Sequence, residues 1–456
     1  MIQTIRKAWA VPELRKKIIF TVLILLIFRI GNAIPVPYVD TDLLRTYLDN
    51  MGTTVLGLYN VMSGGAFAQA TVFALGVQPY INSSIIIQLL TIAIPALERL
   101  AREGGEAGKR KIASITRYAT VAIALLQGFG YYMLMKNYGI LTESGIWAAI
   151  VIIISFVAGS SFVMWLGEQV NEFGIGNGIS IILFAGIISR VPAMISSMID
   201  GLKLWSGVQN GTVTVDALVA SGYTAEAAQN YIDSALAPWG IALIVVGLLA
   251  LIVLIVHVHA AERRIPVQYA KRQVGRKMYG GQSTHLPMKV SMSGVLPIIF
   301  AQTIASLPAT IAAFLKAPEE GTFAYAFLKA IDTQSVLYMV VYMLMIIGFS
   351  YFYATIQFNP IEISNNLKKN GGFIPGFRPG KPTSDFIAKV LNKITLFGSI
   401  YLGIVAICPL IVGNIIKNPA LAIGGTSVII VVGVALETVQ ALESQMLMRQ
   451  YKGFLE

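Results

Sequence analysis

Charge is scarce in this chain. Asp, Glu, Lys and Arg make up only 12% of its 456 residues, whereas an ordinary soluble domain carries about a quarter. Hydrophobic residues supply 55% and the mean hydropathy is +0.70, which excludes a water-soluble globule and indicates a protein built into a bilayer. Cysteine is nearly absent as well: Cys408 stands alone, so neither an intrachain disulfide nor a cysteine-built metal site can form. Histidine is limited to His257, His259 and His285. The first two are spaced i, i+2 at a helix end and point to different faces, which disfavours a metal site. "GFRPGKPTS" fails as a phosphate loop, because Pro375 occupies the place of the first glycine and Pro382 follows the GK pair. No paired catalytic groups appear, no cofactor or metal is expected, and an enzyme is not indicated.

What the chain does have is long apolar runs. A hydrocarbon core of about 30 Å needs about 20 such residues per helix. Ten spans are expected, near 18–34, 76–97, 114–135, 147–166, 179–197, 238–258, 293–315, 334–355, 390–413 and 422–441. The runs are continuous rather than alternating, and a helix satisfies its own backbone in lipid, so helices are expected rather than barrel strands. Arg15, Lys16 and Lys17 precede the first run, but no small-x-small cleavage pattern follows it, so a retained first helix is expected. Arg29 near its end can reach the interface or face protein. The span centres hold essentially no charged residues, and Glu437 lies toward the end of the last, which disfavours a charge-coupled carrier.

Orientation follows from the basic residues. With ten spans, 26 of the 34 Lys and Arg share a side with the N-terminus and 7 lie opposite, which puts both termini in the cytoplasm. The basic face has two readings: topology signalling with attraction to anionic lipids, or a docking surface for an acidic or nucleic-acid-bearing partner. Two cytoplasmic connections stand out, Glu262 to Lys289 and Asn359 to Lys381, within loops of about 259–292 and 356–389; loops of this length are usually functional. On the other face a polar connection runs from Asp200 to Pro238. It divides the chain into an N-terminal half, 1–197, and a C-terminal half, 238–456, joined by 198–237. Two five-span halves place the second upside down relative to the first, as in an inverted repeat.

The segment Leu58 to Leu75 is too rich in Gly, Ala and Ser to be held firmly by lipid, and the span after it opens on Pro, Tyr, Asn and Ser. That segment, "NVMSGGAFAQATVFALGVQPYINSSIIIQLL" as it runs on, together with "WLGEQVNEFGIGNGISII", "YAKRQVGRKMYGGQSTHLPMKV" and "NLKKNGGFIPGFRPGKPT", resembles the SecY family, the channel subunits of the bacterial Sec protein translocon. The likeness covers essentially the whole chain. It implies an all-α polytopic membrane protein of ten transmembrane helices in two pseudo-symmetric five-helix halves, plus a short re-entrant plug helix at about 58–75. The implied function is a protein-conducting channel of the cytoplasmic membrane, for unfolded secretory polypeptides and for transmembrane segments released sideways into lipid.

By the same resemblance, Val77, Ile81, Ile179, Leu183, Ile299 and Ile430 form the pore ring; both i, i+4 pairs share a helix face. Gly64 and Gly65 give the plug its freedom to bend. Asn82, Gln88 and Leu307 fall at the lateral gate, where polar side chains are expected to hydrogen-bond across the closed seam. Lys271, Arg272, Arg276 and Arg378 fall at positions that dock the ribosome, through its rRNA, or the SecA motor ATPase. SecE and SecG are the implied membrane partners, and signal sequences and nascent polypeptides the clients. The other reading, a secondary transporter for a small solute, would use unwound polar stretches such as "GVQPYINSS" to bind substrate.

Overall fold

The computed structural model describes residues 2–50, 56, 60, 62–102, 104–215, 229, 232, 235, 237–269, 272–274, 277–279, 283–290, 294–314, 327, 330, 335–416 and 424–452. The first half holds α1 (Ile2–Ala10), α2 (Pro12–Gly31), α3 (Thr41–Asn50), α4 (Gln78–Ala93), α5 (Pro95–Arg102), α6 (Gly105–Asn137), α7 (Ile146–Phe173), α8 (Gly178–Ile188) and α9 (Val191–Gln209). The second half begins with α10 (Pro238–Ala260), β1 (Glu262–Tyr269), β2 (Arg272–Val274), β3 (Lys277–Tyr279) and β4 (Ser283–Lys289). It continues with α11 (Leu296–Phe314), α12 (Val336–Gln357), α13 (Pro360–Lys369), β5 (Gly372–Phe373), α14 (Lys381–Ile416) and α15 (Gly424–Lys452).

A helix stands at each of the ten expected positions. Among the described residues, seven helices are long and apolar enough to cross a bilayer alone, and the bent pair α4–α5 makes an eighth. The other two are α2, with Arg15, Lys16, Lys17 and Arg29 near its ends, and α11, whose apolar part is shorter. α10 is the barest: only 6% of its apolar window is buried against protein. Its outward residues, Leu243, Val246 and Val253 among them, are exposed, and lipid is the solvent that such a surface requires.

Two expected boundaries move. The second span breaks at Ile94, where α4 and α5 meet at 105°. Ile94 precedes Pro95 and is extended (φ −107°, ψ 111°), as the clash of a proline ring with the preceding residue requires. The fifth span runs on to Gln209, so the outer connection starts after that residue and not at Asp200. Met194 and Met198 of α9 pack against Ile241 and Ile244 of α10.

The motif "EFGIGNGIS" is a reverse turn between α7 and α8. Gly174 ends α7, Gly176 takes a left-handed φ of +71°, and Asn177 caps α8 by accepting from the backbone N–H of Ile179 (3.1 Å) and Ser180 (3.3 Å). Asn171 accepts from the Gly178 N–H at 2.7 Å. This tight return packs the helices so closely that a Cβ on Gly178 would lie 2.0 Å from the Gly167 carbonyl oxygen.

The two long basic connections contain a small sheet of order β4-β1-β5, and β2 and β3 pair as a separate ribbon. β1 pairs antiparallel with β4 (Ile265 opposite Leu286) and with β5 (Gln268 opposite Phe373). Beneath the sheet Ile265, Val267, Met288, Leu367, Ile374, Ile387 and Leu391 form their own core. The two long loops are therefore one structured lobe, which a purely helical expectation omits.

Replacing Gly178 with Ala should destabilise the folded protein by about 1–3 kcal/mol, the usual cost of overpacking. Gly240→Ala on α10, where nothing lies within 4 Å of the added carbon, should be neutral. Thermal unfolding of the two purified variants checks the pair.

Candidate functional site

Four helices contribute six aliphatic side chains to one buried apolar cluster. Val77 is the N-cap of α4, and the Ile81 N–H donates to its carbonyl at 3.0 Å, so the two side chains stand one turn apart. Ile179 and Leu183 repeat that spacing on α8; α11 contributes Ile299 and α15 contributes Ile430. All six are buried, none more than 9% exposed, and all belong to one continuous hydrophobic cluster. Two of the contributing helices come from each half of the chain. An aliphatic side chain left facing water here instead of its neighbours would cost roughly 1.5–3 kcal/mol.

A cavity of about 190 Å³ opens onto this cluster, with Leu183, Ile299 and Ile430 in its wall. Asn177, Ser180, His259, Lys289, Gln357, Glu437 and Gln440 share the rest of its wall with Gly294, Val295, Leu296, Val434 and Leu436. Lys289 donates to the Gln440 side chain at 2.9 Å. Lys289 ends β4, and His259 and Gln357 stand at the ends of α10 and α12 nearest the sheet, so the cavity faces the sheet lobe. His257 is exposed while His259 lines the cavity, in line with their i, i+2 spacing. Among the described residues no group of three or more His, Cys, Asp or Glu side chains could hold a metal ion.

At the opposite end of α8 the chain folds back beneath the constriction. Residues 56, 60 and 62 are helical, but Ser63 to Val77 is a succession of turns with a short bridge of Thr71 to Pro35, not the expected helix. Gly64 and Gly65 take φ of +71° and +91°, a region that costs a side-chain-bearing residue energy. Once helical bonding is given up, each polar backbone group needs another partner, and the surrounding walls supply them. The Ser63 carbonyl accepts from Asn32 Nδ2 (3.2 Å), that of Gly64 from Arg29 and Ser189 (3.4 Å each), and that of Phe67 from the Tyr131 hydroxyl. Within the segment the Asn60 side chain accepts from the Ala68 N–H at 3.0 Å. Phe67 stacks on Tyr131 with centroids 4.2 Å apart. A Cβ on Gly186 would lie 2.7 Å from the Met62 carbonyl, and one on Gly159 would lie 1.9 Å from that of Val72. The walls named here belong to α2, α6, α7 and α8, all in the N-terminal half.

The seam between the halves runs where α4 and α6 meet α11 and α12. Gln88 accepts a hydrogen bond from the Tyr353 hydroxyl across it, at 2.5 Å. Asn82 is buried and its Oδ1 makes no hydrogen bond. Leu307 on α11 is 41% exposed. Sequence reasoning passed over Tyr353, since one tyrosine in an aromatic-rich helix carries no periodic signal. Of the expected docking residues, Arg378 is exposed beside the sheet lobe and Arg272 lies in β2; Lys271 and Arg276 lie outside the described residues.

A cavity, a buried aliphatic cluster and a packed re-entrant segment therefore follow one another along α8. The family model for SecY matches residues 71–439. The chain is 41% identical to the protein translocase subunit SecY of Streptomyces scabiei and 40% identical to that of Halalkalibacterium halodurans, with the whole of both chains covered in each comparison. The fold is similar to a solved protein-conducting channel, at a TM-score of 0.60 and 16% identity over 95% of this chain and 92% of the other. It is also similar to Sec61 from a canine ribosome-channel complex, at a TM-score of 0.57 and 16% identity over the same shares. With the family model spanning most of the chain and these relatives aligned over all of it, the chain belongs to the SecY family.

Proposed function

We propose that this chain is the pore-forming subunit of a protein translocase, passing unfolded polypeptides through the constriction and releasing apolar segments sideways between α4 and α11. One observation carries the reading: six aliphatic side chains from both halves close one buried cluster, with a polar cavity on one side and a re-entrant plug on the other. Such a collar seals by excluding water, and it offers a moving peptide neither hydrogen bond nor charge on which to stick. A solute carrier would need a polar pocket at that depth, and the collar is where that pocket would have to be.

In this reading the residues near 58–75 are the plug, hinged at Gly64 and Gly65. Its bonds to the N-terminal half keep it seated when the seam first loosens. Two inverted five-span halves, 1–197 and 238–456, part along the seam that holds Asn82, Gln88 and Leu307. The chain lies in a bacterial cytoplasmic membrane with both termini inside, so the sheet lobe and its basic loops face the cytoplasm. Lys271, Arg272, Arg276 and Arg378 there meet rRNA phosphates of the ribosome or carboxylates of SecA, both of which suit the arginine fork. The named relatives are translocase subunits and one neighbour is a ribosome-bound channel, which supports those partners. SecE and SecG complete the membrane complex, and anionic lipids surround it. No catalytic group is needed, because the energy comes from the partners.

Changing Ile81, Ile179 and Ile299 together to Ser should make membranes that carry the protein leak ions at rest; unchanged conductance would refute the collar. A stalled secretory chain should crosslink to photoreactive groups placed at Val77, Leu183 and Ile430, and a chain that crosses without touching any of them would overturn the channel reading itself. Arg378→Glu should weaken binding to ribosomes and lower the salt slope of that binding by about one unit per lost phosphate contact, with folding intact; equal affinity and slope would remove Arg378 from the docking surface.

A further inference from the structure

His259 stands in the last turn of α10 with both ring nitrogens buried and without a hydrogen-bond partner among the described residues. A buried polar atom left unbonded costs free energy, so a ring held in this state calls for a physical reason. It lies against α15: a Cβ on Gly433 would stand 3.5 Å from its Nε2. Glu437 follows Gly433 by four residues and therefore shares that face of α15, one turn further on. Its carboxylate is exposed to the cavity that both residues line, and a Cβ on Gly294 would stand 3.1 Å from its Oε1. Among the described residues Glu437 has neither a hydrogen bond nor an ion pair. Lys289 of β4 is the charged neighbour of both groups, and its ammonium is already held by Gln440 at 2.9 Å. The other elements around the pair bring no charge to it. α8 supplies Asn177 and Ser180 and α12 supplies Gln357, α9 meets α10 near its other end through Met194 and Met198, and His257 is exposed on another face.

We propose that His259 and Glu437 form a shared proton-binding site, and that proton uptake there ties α10 to α15 and holds Ile430 in the collar. The hold on Ile430 rests on the channel reading above. A neutral imidazole has one N–H and one acceptor nitrogen; a proton taken from water in the cavity onto that acceptor makes an imidazolium with two donors. Such a cation needs an anion, and Glu437 is the carboxylate among the described residues that line the cavity. The ring and the carboxylate are one helical turn apart on facing helices, so a change of side-chain rotamer brings them together without any shift of the backbone. Ile430, Gly433 and Glu437 are spaced i, i+3, i+7 on one face of α15, and a bond that fixes Glu437 fixes the orientation of the collar residue two turns away. The pair exists where the imidazole is charged and the carboxylate is still ionised. It therefore forms as pH falls through the histidine range and is lost again once Glu437 itself takes a proton. Lys289 opposes the charging of His259 and so sets how acid the cavity must become.

Two readouts test this, both on the full chain in its native membrane complex. The first is the titration of His259, followed by NMR of labelled histidine in a background carrying His257→Gln and His285→Gln. Glu437→Gln should move its midpoint to lower pH, because the imidazolium loses its anion, and Lys289→Gln should move it to higher pH. A midpoint that ignores Glu437→Gln overturns the shared site. The second is the ion current opened by a weakly apolar signal segment across a planar bilayer, at about pH 8 and about pH 5.5 on the side of the sheet lobe. Opening should fall roughly 3- to 10-fold at the lower pH. His259→Gln and Glu437→Gln should each remove that difference, the double variant should add nothing, and His257→Gln should behave as the unaltered complex. If the unaltered complex conducts with no segment at either pH, the channel reading fails and the hold on Ile430 falls with it, while the titration still decides the proton site. If it opens equally at both pH values, or if His259→Gln keeps the full difference, the hold on Ile430 is overturned and the channel stands. An equal loss of current at both pH values in His259→Gln, with less intact complex recovered, would make the ring a packing element and overturn the hold as well.

Discussion

The structure depends on apolar contact across a line that would otherwise be wet. Helices α4 and α8 on one side and α11 and α15 on the other bring Val77, Ile81, Ile179, Leu183, Ile299 and Ile430 into one cluster. No covalent link and no buried ion pair closes that cluster. Aliphatic side chains lower their free energy by touching one another rather than water. Such a contact is non-directional, and on the proposed reading a polypeptide that fills the same space breaks it and lets it re-form on leaving. A constriction built from charges or hydrogen bonds would discriminate among side chains; one built from branched aliphatics responds to bulk.

The segment beneath the collar uses a different chemistry for the same end. It makes turns where a helix was expected, and its freed carbonyls take side-chain donors from Arg29, Asn32, Tyr131 and Ser189. Individually these bonds are modest, and water can replace each of them when the segment moves. Glycine and alanine keep the backbone close to the walls, as the approach of Val72 to Gly159 requires. The result is a seat specific enough to hold one position and polar enough to be left without great cost.

On the side of the basic loops, β1 pairs with both β4 and β5, so the connection after α10 and the connection after α13 are held in one sheet. The lobe has an apolar core of its own beneath the sheet, and Arg378 is held outward by a local bond in which the Thr383 hydroxyl donates to the Arg378 carbonyl at 2.7 Å. A load applied to either loop is thereby shared with α12 and α14, whose Ala354, Ile387 and Leu391 lie in the same core. Tyr353, bonded to Gln88 across the seam, neighbours Ala354 in sequence, so the lobe and the seam are adjacent along one helix.

By itself the sequence determined those features that act over a few residues. Continuous apolar runs fix where helices can lie in lipid, the excess of Lys and Arg in alternate connections fixes the expected orientation, and local chemistry ends the helices, as Asn177 and Pro95 do. The i, i+4 pairs Val77–Ile81 and Ile179–Leu183 were legible as helix faces for the same reason, and the family likeness named their ring. Tertiary structure alone decided which faces meet. Asn82 is buried with its Oδ1 unbonded, Leu307 is left exposed on α11, Gln88 finds a tyrosine 265 residues away, and two loops become one sheet. Such pairings arise from packing whole helices against one another, and no periodicity within a single helix records what will stand opposite it.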